Sequence, residues 1–262
     1  MTFLEKVAEE KKAAVSLLKQ RMSLAELKEK ADSNKGKRRF FETFSKRFPG
    51  EVKIIAEVKR ASPSRGLLRS DLHVGDLVRA YENGGASAIS VITEERHFMG
   101  SLASLGEARK ATGLPALRKD FIVDPYELYE SKAYGADAVL LIGEMLERSQ
   151  IEEYLGVAQE LMLDVLFEVH SMRTYEKVRG FSGFILGVNN RNLETLDVDL
   201  QTGFRIIEEI PKDYPVIVES GIEGRRQVEA FMQKGVSGFL IGTSLVLSED
   251  PAGKLREFRG HV

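Results

Sequence analysis

Residues 55–64 read Ile55-Ala56-Glu57-Val58-Lys59-Arg60-Ala61-Ser62-Pro63-Ser64. An apolar run of strand character ends here in a glutamate and a lysine two positions apart. Successive strand side chains point to opposite faces, so Glu57 and Lys59 share one. A buried strand face seldom holds one charge, and two of opposite sign need a reason. One reason is an edge strand carrying a solvated salt bridge, which contributes little. The other is a strand tip opening into the mouth of a barrel, where the pair serves as acid, base or anion clamp.

The rest of the chain decides between them. From residue 53 onward, short apolar runs alternate with longer amphipathic stretches. The runs are Lys53–Val58, Ala88–Ile92, Ala116–Leu117, Ala138–Ile142, Val165–Phe167, Phe184–Val188, Val216–Val218 and Gly238–Ile241. Each is too short for a helix and rich in Val, Ile or Leu. Continuous apolar strands are buried on both faces, which implies a parallel sheet covered by helices. Helical patterns lie between them, as at Val74–Asn83, Tyr126–Tyr134, Ile151–Leu161 and Arg225–Lys234. Gly84-Gly85, Gly135 and Gly235 follow three of these as expected helix stops. Eight such units fit an α/β fold of the (β/α)8 TIM-barrel class. A doubly wound open sheet would want a glycine-rich phosphate loop after its first strand. The sequence contains neither G-x-G-x-x-G nor G-x-x-x-x-G-K-[ST].

Residues 1–48 are charged and helical in pattern, with Phe3, Leu4, Val7, Val15, Leu17, Leu18, Met22, Leu24 and Leu27 spaced for amphipathic helices. Ser23 before Leu24-Ala25-Glu26 reads as an N-cap with a capping-box glutamate. Asp32–Arg39 is a basic loop, either a solvated turn or an attractor of anions. The expected organisation is one domain: a helical extension, 1–48, packed on a catalytic barrel, 49–262.

Composition narrows the function classes. The chain has 262 residues, 43% of them hydrophobic, with 38 Lys plus Arg against 40 Asp plus Glu. That balance gives no footprint for nucleic acid or an anionic membrane. With no cysteine, disulfides, thiolate nucleophiles and cysteine metal sites are excluded. The first 20 residues carry Glu5, Lys6, Glu9, Glu10, Lys11 and Lys12, so no signal-peptide core is read there. No apolar run reaches the roughly 18 residues of a membrane span. A cytoplasmic protein, monomeric or weakly homo-oligomeric, is expected.

Barrel active sites lie at the C-terminal strand ends. The tips here read Glu57 and Lys59; Thr93-Glu94-Glu95; Arg118-Lys119-Asp120-Phe121; Phe167-Glu168-Val169-His170; Val188-Asn189-Asn190-Arg191-Asn192; Glu219-Ser220-Gly221; and Gly242-Thr243-Ser244. Charges and amides crowd the tips while the strand interiors read as apolar. A structural ring of salt bridges is the bland account. Ser220, Gly221, Gly242 and Thr243, on the seventh and eighth tips, let backbone N–H groups approach an anion, as phosphate sites in barrels do. Lys59 and Arg191 add charge. Lys59, Lys119, Glu57, Glu168 and Glu219 would share one mouth, where crowding drives pKa values apart and separates acids from bases. His73, His97, His170 and His261 show no paired metal spacing, although Glu168 and His170 share a face. No metal is expected. Phe98 and Phe121 are placed to stack on an aromatic ring or to pack loops.

These segments, in order along the barrel, resemble the indole-3-glycerol-phosphate synthase family of tryptophan biosynthesis. The resemblance rests on Ile55–Ser64, Ser90–Ser101 (SVITEERHFMGS), Leu117–Tyr126 (LRKDFIVDPY), Phe167–His170, Leu186–Thr195 (LGVNNRNLET), Val218–Ile222 and Phe239–Leu245. It implies a carbon–carbon lyase that needs no cofactor or metal. Ring closure, decarboxylation and dehydration would turn 1-(2-carboxyphenylamino)-1-deoxyribulose 5-phosphate into indole-3-glycerol phosphate. Carried over by motif, Lys119 would be the general acid and Lys59 would bind the anthranilate carboxylate and share acid duty. Glu168 would serve the dehydration, assisted by Glu57. Asn189 and Glu219 would orient substrate hydroxyls. Ser62, Phe98 and Phe121 would line the anthranilate pocket, and Arg191, Ser220, Gly221, Gly242 and Thr243 would hold phosphate. A fused isomerase domain, present in some members, is not expected. The rivals are another phosphosugar isomerase or lyase on the same barrel, or a non-catalytic barrel that binds a phosphorylated ligand.

Overall fold

The structure, a computed structural model, describes residues 2–34, 36, 38–48 and 50–261. Eight parallel strands close on themselves in chain order: β1 (Ile54–Val58), β2 (Ala88–Ile92), β3 (Ala116–Lys119), β4 (Ala138–Ile142), β5 (Asp164–Val169), β6 (Ile185–Asn189), β7 (Val216–Glu219) and β8 (Gly238–Ile241). The last returns to the first with Leu240 opposite Ile55. The (β/α)8 reading therefore holds. A small antiparallel hairpin, Ala61–Ser62 with Gly66–Leu67, stands in the loop after β1.

The helices are α1 (Phe3–Arg21), α2 (Leu24–Ser33), α3 (Phe40–Ser45), α4 (Val74–Asn83), α5 (Leu102–Ala111), α6 (Tyr126–Ala133), α7 (Arg148–Glu160), α8 (Met172–Val178), α9 (Leu200–Glu209), α10 (Arg225–Met232), α11 (Thr243–Val246) and α12 (Pro251–Arg259). Among the expected stops, Gly85, Gly135 and Gly235 take left-handed backbone, with φ of 83°, 91° and 77°. A side chain would be strained there.

Strand alternation divides the core in two. Outward residues such as Ile54, Ile89, Val139 and Val218 pack under the helices. Inward residues Ile55, Ala88, Leu117, Ala138, Leu166, Ile185 and Ile217 fill the barrel axis. The floor of that axis is closed by α3. Its Phe40 and Phe44, one turn apart, are fully buried in the same inward cluster. Each contributes on the order of 1.5–3 kcal/mol of burial.

The extension thus does more than flank the barrel. Both α1 and α2 open with capping boxes, Thr2 with Glu5 and Ser23 with Glu26, the second as expected. Val7, Val15 and Leu27 are buried, but Leu17 (56% exposed) and Leu24 (43%) are not. Leu17 precedes Leu18, which packs against the core, and is turned from it by about 100° of helix. Lys35 and Lys37 of the basic loop lie outside the described residues. Arg38, in the same loop, caps the carbonyls of Thr112 and Leu114 at 2.7 Å each, while its backbone N–H meets Asp137. Those partners precede β3 and β4, at the end of the barrel away from the tips. For Arg38 the solvated-turn and anion-attractor readings both give way to a structural clamp.

Candidate active site

One cavity of about 520 Å³ opens at the C-terminal strand ends. Every residue proposed from the sequence lines it: Glu57, Lys59, Ser62, Phe98, Lys119, Phe121, Glu168, Asn189, Arg191, Glu219, Ser220, Gly221, Gly242 and Thr243. The reason is the period of the strand. Glu57, Lys119, Glu168 and Glu219 each stand two residues beyond an inward core residue, namely Ile55, Leu117, Leu166 and Ile217. They therefore face the axis one layer above the apolar fill.

Lys119 is the hub. Its Nζ is 2.9 Å from Glu219 Oε2 and 3.2 Å from Glu168 Oε2. Burial pushes the ammonium down, but Glu168, Glu219 and Glu57 outweigh it and hold it well above its ordinary range. Burial also pushes Glu168 up. The neighbouring Lys119 and His170 charges reverse this and hold Glu168 below its ordinary range. Glu219 behaves oppositely: burial and the neighbouring Glu168 charge raise it to about 8 in spite of Lys119. Two carboxyls on one lysine are thus driven apart, one ionised and one protonated at neutral pH. Glu219 Oε1 is buried without a hydrogen-bond partner in the protein. A methyl group on Gly187 would stand 2.5 Å from that oxygen, so glycine there makes room for the carboxyl.

Glu57 and Lys59 form the second ion pair, Oε1 to Nζ at 2.7 Å, and the edge-strand reading is set aside because β1 is flanked on both sides. A Cβ on Gly242 would come within 3.0 Å of Lys59 Nζ, so the first and eighth tips touch. Beside them Ser220 and Gly221 are both left-handed, with φ of 65° and 78°. Serine rarely adopts that backbone, and held strain of this kind collects at ligand sites.

The aromatic side is built by three elements. Phe98 and Phe121 lie 6.1 Å apart between centroids, and Phe3 of α1 meets Phe121 at 6.3 Å. Phe3 also lines the cavity, a contribution the sequence reading missed. The buried Glu94 carboxylate accepts backbone N–H groups of Arg96, His97 and Phe98, which fixes the loop carrying Phe98.

The two charges that flank Lys119 on the third tip have structural partners. Arg118 points outward, is 3% exposed, and pairs with Asp120 at 3.1 Å and Glu130 at 2.9 Å. Alternation with the inward Lys119 requires this. Asp120 touches the cavity, but its carboxylate is taken by Arg118, Lys11 of α1 and Thr93. Despite burial, Arg118 and Lys11 lower it to about 2. Lys11 also holds Glu127 at 2.6 Å, so the extension braces the strand tip that carries Lys119. The strand interiors are not wholly apolar either: the Ser90 hydroxyl is buried with no hydrogen-bond partner in the protein, next to Glu57 in register. Among the described residues, no group of three or more His, Asp or Glu side chains is placed to hold a metal ion. None of the described helices is long and apolar enough to cross a membrane.

The sequence model of one family, indole-3-glycerol phosphate synthase, matches residues 4–258. The chain is similar to the indole-3-glycerol phosphate synthase of Desulfosudis oleivorans, 40% identical over 255 residues and 97% of each chain. It is 46% identical to that of Dehalococcoides mccartyi over 210 residues, covering 79% of this chain and 81% of the relative. Among solved structures it is similar to 3-hexulose-6-phosphate synthase of Salmonella typhimurium, with TM-score 0.62 and 15% identity over 80% of this chain and 98% of the other. That likeness speaks for the barrel alone.

Proposed function

The chain belongs to the indole-3-glycerol phosphate synthase family, and from that membership we propose that its barrel mouth closes the pyrrole ring of 1-(2-carboxyphenylamino)-1-deoxyribulose 5-phosphate. Carbon dioxide and water leave, and indole-3-glycerol phosphate forms. The observation that carries this reading is the Lys119 ammonium held at the barrel mouth between the carboxyls of Glu168 and Glu219, at 3.2 and 2.9 Å.

Each chemical step has a matching group. Ring closure needs an electrophilic carbonyl, which the Lys119 ammonium polarises and protonates. Lys59 holds the anthranilate carboxylate and shares acid duty, with Glu57 as its partner at 2.7 Å. Loss of carbon dioxide returns its electron pair to the iminium of the newly closed ring. Glu168 serves the dehydration from its ionised state, with Glu57 assisting. Asn189 and Glu219 orient the substrate hydroxyls. Ser62, Phe98 and Phe121 receive the anthranilate ring. Arg191 and the small residues Ser220, Gly221, Gly242 and Thr243 take the phosphate, supported by the left-handed turn at Ser220.

The test is to add the carboxyphenylamino substrate to pure, EDTA-treated protein and follow indole fluorescence. Steady turnover is expected. Substrate that binds in competition with phosphate but is never converted would contradict the proposal and favour a ligand-binding barrel.

A further inference from the structure

Glu168 has a second cationic neighbour that no step above uses. His170, two residues on, places Nε2 3.1 Å from Glu168 Oε1, the oxygen other than the one facing Lys119, as an ion pair without hydrogen-bond alignment. His170 Nδ1 is 2.9 Å from Glu144 Oε2. Glu144 sits in the one-turn 3-10 helix Gly143–Met145 after β4. Its other oxygen accepts the His170 backbone N–H at 3.1 Å and the Thr174 hydroxyl at 2.6 Å. The His170 side chain is 9% exposed and that of Glu144 23%. Neither residue lines the cavity. We propose that Glu144 and His170 are positioning residues for Glu168: Glu144 keeps His170 an imidazolium, and the imidazolium holds Glu168 ionised and turned so that Oε2 faces the reacting atoms.

The inference rests on the proposed reaction, because only there does Glu168 need a second cation. Lys119 gives up its proton to the substrate carbonyl and, for that interval, no longer balances the Glu168 charge. A carboxylate so buried would then take a proton at random, and its base function would be lost. His170 stays outside the cavity and keeps its charge through the cycle. The two charged groups in direct contact with it are both carboxylates. Glu168 faces it from β5 and Glu144 from the 3-10 turn. Lys119 is the next charge beyond Glu168, on β3. Lys177 of α8 turns its ammonium to the carbonyls of Gly143 and Leu146. Burial disfavours the imidazolium, but Glu144 and Glu168 prevail and raise it to about 10. The Glu168–x–His170 pair, weighed above as two metal ligands, is better explained as this ion pair.

Two variants and two readouts test it. In His170→Asn, kcat should fall by about 10- to 100-fold with KM nearly unchanged, and the acid limb of kcat should move up by about one pH unit or more as Glu168 loses its counter-ion. In Glu144→Gln, His170 keeps Glu168 but loses its other carboxylate, so it should titrate lower than in wild type, and kcat should gain a decline above that lowered value. A loss of kcat in both variants with the wild-type pH profile intact would mark a merely structural role and overturn the proposal. The second readout needs no substrate. In 15N-histidine-labelled wild type at pH 8, the His170 ring should carry both protons, and in Glu144→Gln it should lose one at a lower pH than in wild type. A neutral His170 ring in wild type would overturn the proposal even where turnover is normal. A protonated ring in a protein without turnover would instead sink the reaction assigned above and leave the ion pair standing.

Discussion

The two ends of the barrel axis are made by the same strands, on the same face, two residues apart. At the floor the inward side chains are Ile55, Leu117, Leu166 and Ile217, sealed by Phe40 and Phe44. One step of the pleat higher they are Glu57, Lys119, Glu168 and Glu219. The floor is dry, close-packed and chemically silent. The mouth holds opposed charges, an orphaned oxygen at Glu219 and a strained serine at 220. The fold thus keeps what stabilises it and what reacts in adjacent layers of one framework, so substitutions in the two should have opposite consequences.

That contrast is broken first at Glu168. Glu168→Gln should lower kcat by about 10²-fold or more with the fold retained, measured by steady-state kinetics beside circular dichroism. At the floor, Phe44→Ala should cost about 3–5 kcal/mol of unfolding free energy in urea while KM stays near normal. A milder probe is Ser220→Asp. Aspartate tolerates the left-handed backbone, so the loop should persist while its charge repels phosphate and raises KM by roughly 10-fold, about 1.4 kcal/mol. A last probe, of the mouth's own contribution to stability, is pH dependence. Glu219 is raised to about 8, so the native state binds a proton that the unfolded chain has released above about pH 4.5. Stability should therefore decline as pH rises from 5 to 8, and Glu219→Gln should flatten that slope in thermal melts across the range.

The barrel was legible because its strands are continuous apolar runs, a signal that survives without any partner. The runs under-read β3, β5, β6 and β7 at their C-terminal ends. Lys119, Glu168, Asn189 and Glu219 stay in the ladder although their side chains leave the core. Polarity marks where the apolar layer stops, not where the strand stops. The cavity-lining set was legible from strand period and the family resemblance together. What was not legible depends on distant chain segments meeting. Phe3 reaches the mouth only because α1 docks there, and Lys11 braces Asp120 across 109 positions of sequence. Arg118 turns away from the mouth because its neighbour Lys119 faces in, which the order of residues along a tip does not state. The Glu144 contact to His170 joins two loops that no motif connects.

The most direct measurement is a pair on one strand: kcat and unfolding free energy for Lys119→Ala and Leu117→Ala, side by side. The account predicts that Lys119→Ala loses at least about 10²-fold in kcat and keeps most of its stability. It predicts that Leu117→Ala loses about 2–5 kcal/mol of stability and keeps most of its turnover. Equal losses of activity and stability in the two variants would contradict the separation of layers and the place of Lys119 in the reaction.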